Sequence, residues 1–162
     1  MTNIDLKQFI EEKYEDKEWI PIISDYDTWN EFKHQLNRGI IRSAEYVDGA
    51  WQTNVWVKKG ILLGFRMGKI ADFTKGSFPF YDKHTYPLKS IDIHDSIRIV
   101  PGGSSVRDGA FIGKSVTVMP PSYVNAGAYI YHGTIIDIHS FIDITAKNEN
   151  NLHLSEGEIS DC

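Results

Sequence analysis

A branched aliphatic residue recurs at every sixth position in the second half of this chain. The series is unbroken over eight positions: Val100, Val106, Ile112, Val118, Val124, Ile130, Ile136 and Ile142. A helix repeats at about 3.6 residues and a strand at about 2, so neither alone gives a period of six. A six-residue period is instead typical of a parallel β-helix, in which each hexapeptide forms one short strand and one tight corner.

Small residues accompany the aliphatic series. Four residues after each aliphatic residue come Ser104, Ala110, Val116, Ser122, Ala128, Thr134, Ser140 and Ala146, none larger than valine. We predict that the aliphatic side chains fill a narrow three-sided prism and that the small residues leave room at its corners. Gly109, Gly127 and Gly133 are expected to ease the bends. Three hexapeptides close one coil, so the repeat predicts a short stack of somewhat under three coils.

The residues before the repeat show mixed patterns. Residues 4–16 place Ile4, Phe9 and Ile10 near one side of an acidic helix. Residues 27–35 predict a second helix, with Asp25 or Asp27 at its start and Asn37 and Gly39 at its end.

The next segments predict a hairpin and one ambiguous element. Asp48 and Gly49 stand between two β-rich runs, and this pair tolerates the positive φ of a tight turn. The stretch "WVKKGILLGFRMG" fits a buried helix or a strand, and Gly60 and Gly64 count against the helix.

These patterns predict three parts. Residues 1–90 form a small α+β N-terminal domain, residues 91–147 a short parallel β-helix, and residues 148–162 an irregular polar tail. Asn148 interrupts the aliphatic series, and the acidic run that follows has no capping helix. Leu154 restores one aliphatic residue, so a degenerate final coil is the alternative for this segment.

Composition excludes several classes of protein and site. A net charge of −5 argues against a nucleic-acid partner, because such proteins usually carry a basic face. The single cysteine, Cys162, excludes an intramolecular disulfide and paired-cysteine zinc sites, and we expect no metal. The start lacks the basic and apolar regions of a signal peptide, and no apolar run approaches about 18 residues. We therefore expect a cytoplasmic protein without a membrane partner.

Four stretches carry a resemblance to a known family. They are "WVKKGILLGF", "FYDKHTYPLK", "IRIVPGGSSVRDGAFIGKSVTVMPPSYVNAGAYIYHGTIIDI" and "NLHLS". Together they resemble the first part of bacterial tetrahydrodipicolinate N-succinyltransferase, an acyltransferase of lysine and diaminopimelate synthesis. The match is nearly colinear over about residues 40–155, and "PSYVN" followed by "GAY" is more specific than a generic hexapeptide.

The resemblance implies a fold, a reaction and an assembly. It implies a left-handed β-helix, succinyl-CoA as co-substrate with no bound cofactor, and a homotrimer with an acceptor pocket between subunits. By motif, Arg98 in "IRIVP" and Asp137 in "GTIID" match residues that line the family's acceptor site. A guanidinium can hold one carboxylate of a dicarboxylate substrate, and a carboxylate can orient or deprotonate its amine. We therefore assign substrate binding to Arg98 and both substrate binding and catalysis to Asp137; a surface cation and a solvated corner carboxylate are the alternatives.

Departures from the family leave other functions open. Family members continue much further, through coils that bind the pantetheine arm of CoA, and Asp143 and Glu149 stand at corners where the family has glycine. A second chain supplying those coils would complete an enzyme. A non-catalytic trimeric scaffold or dicarboxylate binder is the alternative.

Four further residues were weighed as candidates. His132 and His139 stand where the family has glutamate and tryptophan, and a repurposed acyltransferase would use one of them as its base. Exposed turn positions are the other interpretation of both. Arg107 and Lys114 occupy outward positions at which a cation would meet an anionic ligand or simply face solvent.

Overall fold

Three helices form the first part of the protein. The computed structural model describes residues 2–143, 153–154 and 157–159. The helices are α1 (Asn3–Glu15), α2 (Ile23–Asn37) and α3 (Val55–Met67). Thr2 and Asp5 cap the start of α1 reciprocally, each side chain accepting the other residue's backbone N–H.

Both predicted helices are present, and α2 begins earlier than predicted. Its start is held by Asp25, whose Oδ2 accepts the backbone N–H of Ile22 at 3.0 Å. Gly39 follows its end with a φ of +68°. In α1 the buried residues are Leu6 and Ile10, whereas Ile4 is 78% exposed, so the prediction that Ile4 lies on the packed side is wrong. Residues four apart share a helix face, and Leu6 rather than Ile4 has that spacing from Ile10.

The ambiguous segment is a helix, and its glycines are required by packing. A Cβ on Gly64 would lie 2.1 Å from Cζ2 of Trp29, and one on Gly60 would lie 2.6 Å from Cζ of Phe32. The two glycines therefore let α3 approach the aromatic side chains of α2 closely. Their helix-weakening effect is outweighed by this burial, because the large aromatic rings of Trp29 and Phe32 are fully buried against the helix.

Two antiparallel hairpins flank this helical unit. Strands β1 (Ala44–Val47) and β2 (Ala50–Thr53) pair around Asp48 and Gly49, whose φ values are +51° and +83°. The predicted hairpin is thus confirmed. Strands β3 (Ile70–Asp72) and β4 (Tyr81–Lys83) form the second pair, and a short 3₁₀ helix spans Ile93–Asp95.

In the part of the chain that the structure describes, ten short strands follow and stack in parallel. They are β5 (Arg98–Ile99), β6 (Ser105–Val106), β7 (Phe111–Ile112), β8 (Thr117–Val118), β9 (Tyr123–Val124), β10 (Tyr129–Ile130), β11 (Ile135–Ile136), β12 (Ser140–Ile142), β13 (His153–Leu154) and β14 (Gly157–Ile159). Their sheets have the orders β13-β11-β8-β5, β14-β12-β9-β6 and β10-β7. From β5 to β12 every third strand returns to the same sheet, as in a parallel β-helix, and β13 and β14 then pair with β11 and β12.

The interior of the stack is the predicted aliphatic series with one exception. Seven of the eight residues, from Val106 to Ile142, are at most 8% exposed and form one cluster with Leu154. Val100 lies outside this cluster, and its neighbour Ile99 pairs with Val118 instead. The equivalent paired positions Ile99 and Val106 are seven residues apart in sequence, whereas the next pair, Val106 and Ile112, is six apart. The first corner therefore holds one extra residue. Gly102 and Gly103, with φ of +145° and +97°, lie in this corner.

The segment after Asn148 is regular where the structure describes it. His153 and Leu154 pair with Ile135 and Ile136, and Gly157–Ile159 pairs with Ser140–Ile142. At these five positions the chain follows the final-coil alternative rather than the irregular tail. The predictions for the rest of residues 144–162, including Ala146 and Cys162, lie outside the described residues.

Candidate functional site

Asp137, the residue to which the sequence assigns catalysis, is paired with a histidine on the stack. It follows β11 directly, and its Oδ2 lies 3.0 Å from Nε2 of His153. Its Oδ1 accepts the backbone N–H of Ile138 at 2.8 Å. The Ile138 N–H, followed by the His153 ring, lowers the pKa of Asp137 below its ordinary value. The carboxylate is therefore ionised at neutral pH.

Neighbouring coils fix the backbone of Asp137. Its N–H donates to the carbonyl of Leu154 at 2.8 Å, one coil further along the chain. Its carbonyl accepts the hydroxyl of Ser122 at 2.8 Å, one coil earlier. Ser122 is one of the predicted small corner residues and is buried. The parallel stacking that the hexapeptides produce is thus what holds the carboxylate in place.

His153 is a functional candidate that the sequence motifs do not indicate. It reaches Asp137 because β13 pairs with β11, so Ile135 and His153 are neighbours across the sheet. Its signal in the sequence is indirect: Leu154 restores the aliphatic series, and His153 precedes it as Ile135 precedes Ile136. Only the final-coil alternative, and not the predicted irregular tail, places His153 beside β11.

Arg98 lies in β5, in the same sheet as the strand β11 that Asp137 follows. Along the sheet, Arg98 pairs with Thr117 and Thr117 pairs with Ile135. Two strand spacings, about 10 Å in total, therefore separate the Arg98 and Ile135 backbones. The side chain of Arg98 is exposed, and within the described residues its guanidinium makes no hydrogen bond or ion pair. Asp137 directly follows β11, so the two predicted residues lie on strands of one sheet that are two positions apart.

His132 and His139 are exposed, as the turn interpretation predicts. His139 adopts a φ of +57° at a corner, six residues after Gly133 with its φ of +72°. His132 accepts the backbone N–H of Lys114 through Nδ1 at 2.9 Å. Each of these two histidines thus occupies a corner of the stack. The histidine that pairs with the Asp137 carboxylate is His153 instead.

The two outward cations have different surroundings. Arg107 is engaged: it donates to the hydroxyl of Tyr123 at 2.6 Å and to the carbonyl of Tyr86 at 2.7 Å, and it pairs with Asp82. Desolvation is the largest single effect on the pKa of Arg107 and lowers it. The interactions with Tyr123 and Asp82 together outweigh desolvation, so the pKa is raised overall. Arg107 therefore joins the first part of the protein to the stack, whereas Lys114 borders an open cavity.

Within the described residues, no three His, Cys, Asp or Glu side chains are grouped so that they could hold a metal ion. None of the helices described is long and apolar enough to cross a bilayer.

Comparison with known proteins gives a consistent result. Residues 5–67 match the family model described as tetrahydrodipicolinate N-succinyltransferase N-terminal. A protein of Idiomarina loihiensis named 2,3,4,5-tetrahydropyridine-2,6-dicarboxylate N-succinyltransferase is 36% identical over 167 residues, covering 97% of this chain and 59% of its own length. Proteins of the same name from Polynucleobacter asymbioticus and Buchnera aphidicola are 41% and 42% identical, covering 75% and 81% of this chain but 46% and 48% of their own lengths. The chain thus spans about half the length of the curated relatives it matches.

Proposed function

Because this chain is a relative of the tetrahydrodipicolinate N-succinyltransferases, we propose that it supplies the acceptor half of such an acyltransferase active site. In this half, a small dicarboxylate binds and its amino group loses a proton during succinyl transfer. The observation that carries the proposal is the Asp137–His153 pair on the same sheet as the exposed Arg98.

Each residue has a distinct role in this proposal. Arg98 holds one carboxylate of the acceptor through its planar guanidinium. Asp137, ionised at neutral pH, accepts the Nε2–H of His153 and so fixes the ring. The remaining nitrogen of His153 then takes the proton of the attacking amine. The amine nitrogen bonds to the thioester carbonyl carbon, the carbon–sulfur bond breaks, and the CoA thiolate leaves.

The donor and the assembly complete the proposal. Succinyl-CoA is the donor, held by polypeptide that corresponds to the unmatched half of the relatives, in the same protein or on a second chain. The stack is a left-handed β-helix, the subunits form a homotrimer, and the protein works in the cytoplasm. Sequence similarity to the succinyltransferases supports this proposal.

Calorimetry tests the acceptor site without requiring turnover. The protein is titrated with 2-aminopimelate, and Arg98→Met is expected to weaken binding at least tenfold, about 1.4 kcal/mol, because it leaves one carboxylate unpaired. Lys17→Gln, which removes an exposed positive charge from the first part of the chain, serves as the matched control and should bind normally. Equal affinity in wild type and Arg98→Met would refute the acceptor site.

A thiol-release assay tests catalysis. With succinyl-CoA and 2-aminopimelate, and with the missing half of a relative added in trans, we expect release that falls at least a hundredfold in Asp137→Asn and His153→Ala. His139→Asn should retain activity, because a corner histidine has no part in the proposed proton transfer. Acceptor binding without thiol release under any of these conditions would favour a non-catalytic dicarboxylate binder, the second candidate, which the half-length match to the relatives supports.

A further inference from the structure

A cavity of about 360 Å³ lies where the stack meets the end of α2 and the 3₁₀ helix. It is lined by Asn37, Lys89, Ser90, His94, Asp95, Ile97, Phe111, Ile112, Gly113, Lys114 and His132. Its volume falls in the range of small-molecule sites, about 300–1,000 Å³. Neither Arg98 nor Asp137 lines it, so it is separate from the proposed acceptor site.

Lys89 provides a positioned cation in this cavity. Its Nζ donates to Oδ1 of Asn37 at 2.6 Å, and the same oxygen accepts the backbone N–H of Gly109 at 2.9 Å. The amide of Asn37 donates in turn to Asp108 at 2.6 Å. A single Lys–Asn hydrogen bond leaves two ammonium hydrogens for a ligand. Burial lowers the pKa of Lys89, so an anion placed beside it would relieve the cost of the buried charge.

Lys114 and His132 add two donors, each two residues after the end of the paired parallel strands β7 and β10. Nδ1 of His132 accepts the backbone N–H of Lys114 at 2.9 Å, which leaves the ring proton on Nε2 as a donor. No carboxylate pairs with the Lys114 ammonium in the part of the chain that the structure describes. Gly113 keeps this wall thin, because a Cβ there would lie 2.6 Å from the backbone nitrogen of His132.

The nearby carboxylates do not cancel these charges. Burial lowers the pKa of Lys89 most, and the charges of Asp108 and then Asp95 act in the opposite direction. The Oδ2 of Asp95 already accepts the backbone N–H of Asp92 at 2.9 Å. His94 on the same turn adds a further imidazole to the lining. Among the lining residues, two lysines and two histidines face one carboxylate, and Asp108, outside the lining, is paired with Lys33.

The remaining wall is apolar. Ile97, Phe111 and Ile112 line it, and Phe111 is held between the Tyr129 ring, stacked at 4.4 Å, and the edge of His132 at 6.3 Å. A bare inorganic anion would leave this wall in contact with water. An organic anion with a short hydrocarbon chain would cover it and still reach the cations.

We propose that this cavity is a binding site for a small organic carboxylate, with the carboxylate between Lys89, Lys114 and His132 and the hydrocarbon chain against Phe111 and Ile97. The site contains neither Arg98 nor Asp137 and takes a monocarboxylate. A monocarboxylate has no second carboxylate that Arg98 of the acceptor site would need to hold.

Calorimetry with pentanoate and with inorganic phosphate tests this site on the full chain. Both titrations are made on wild type and on Arg98→Met, so that the acceptor site cannot contribute in the variant. We expect pentanoate to bind equally to both proteins and phosphate to bind at least tenfold more weakly, because phosphate leaves the apolar wall uncovered. Loss of pentanoate binding in Arg98→Met would place it at the other site and overturn the proposal, as would equal affinity for phosphate.

Variants of the cavity locate the binding. Lys114→Gln, at an exposed position that folding does not need, and Lys89→Met should each weaken pentanoate binding at least tenfold, since each removes a charge from the carboxylate. Lys17→Gln removes the same charge elsewhere and should leave the affinity unchanged. Normal binding in Lys114→Gln refutes the proposal even if Lys89→Met fails to fold. Failure of this site leaves the binding of 2-aminopimelate at Arg98 unaffected, so the two proposals are tested separately.

Discussion

The Asp137 carboxylate combines one local and one distant hydrogen bond. The backbone N–H of Ile138 is its neighbour in sequence, while His153 lies one coil further along the stack. Both donate to the ionised form, and together they lower the pKa of Asp137. A residue on an exposed corner thereby keeps a fixed charge and a fixed partner, which a solvated carboxylate would lack.

The contribution of His153 can be measured by removing its ring. In His153→Ala the pKa of Asp137 should rise but stay below its ordinary value, because the Ile138 N–H, the larger cause, remains. A lowered pKa in the folded state means stability that is present above the unfolded pKa and is lost as the pH falls through the folded pKa. In the variant, the pH interval between the folded and the unfolded pKa of Asp137, within which this stability is lost on acidification, should therefore be narrower.

Carbon-13 NMR titration of the Asp137 carboxyl group checks this expectation. Asp72 is the internal control, since its pKa is lowered by Thr74 alone and should not change. An Asp137 titration that is identical in both proteins would mean that the imidazole does not bind the carboxylate in solution.

At the scale of the element, equivalent positions in one sheet contribute differently to stability in different coils, because their burial differs. Ile136 and Ile99 are both matched to Val118 in the sheet, yet Ile136 is fully buried and Ile99 is 38% exposed. Ile136→Ala should lower the free energy of unfolding by about 2–5 kcal/mol, because it leaves a cavity inside the prism. Ile99→Ala should cost about 1 kcal/mol or less. Chemical denaturation measures both, and equal losses would show that the prism interior is not the core of the stack.

Helix α3 depends on its glycines for packing rather than for flexibility. Gly64→Ala should destabilise the protein by about 2 kcal/mol or more, because the new methyl would overlap the buried ring of Trp29, and this outweighs the gain in helix propensity of about 1 kcal/mol. Leu62→Ala, at a partly exposed position of the same helix, is the control and should cost less. Thermal unfolding distinguishes the two, and a stabilised Gly64→Ala protein would contradict the observed packing.

Sequence patterns predicted the elements whose signal is local. Each hexapeptide carries its own aliphatic residue and corner, so the stack and its buried series from Val106 to Ile142 were predicted correctly. The first coil was not, because one extra residue beside Gly102 and Gly103 moves Ile99 into the register expected for Val100. The sequence pattern of helix α3 is ambiguous because the need for Gly60 and Gly64 arises only when α2 packs against it.

The candidate site was predictable only in part for the same reason. The motifs predict Arg98 and Asp137, and Arg98 lies in the same sheet as strand β11, which Asp137 directly follows. His153 depends on a strand pairing across a coil in which Asn148 interrupts the aliphatic series, so periodicity indicates its contact only under the final-coil alternative. The cavity at Lys89 depends on the position of α2 against the stack, which no local pattern specifies.

On the scale of the whole molecule, one polar network joins the two hydrophobic cores. Asp108, at a corner of the stack, accepts from Asn37 at 2.6 Å and pairs with Lys33 at 2.8 Å, both on α2. Asn37 in turn holds Lys89 of the proposed carboxylate site. The orientation of the helical part on the stack and the shape of that cavity therefore depend on the same side chains.

Three partly exposed apolar side chains, those of Ile135, Ile138 and Phe141, lie close together in sequence on the third coil. Their exposures of 41%, 38% and 36% leave an apolar surface that association between copies would cover, and the proposed homotrimer supplies such contacts.

Sedimentation equilibrium should give a mass three times that of one 18.5 kDa chain. Ile138→Asp should shift this equilibrium toward the monomer, because a charge buried between subunits lacks a partner. Ile93→Asp makes the same change at an 89% exposed position on the 3₁₀ helix and should leave the mass unchanged. A wild-type protein that sediments as a monomer at every concentration would exclude the trimer and, with it, an acceptor pocket between subunits.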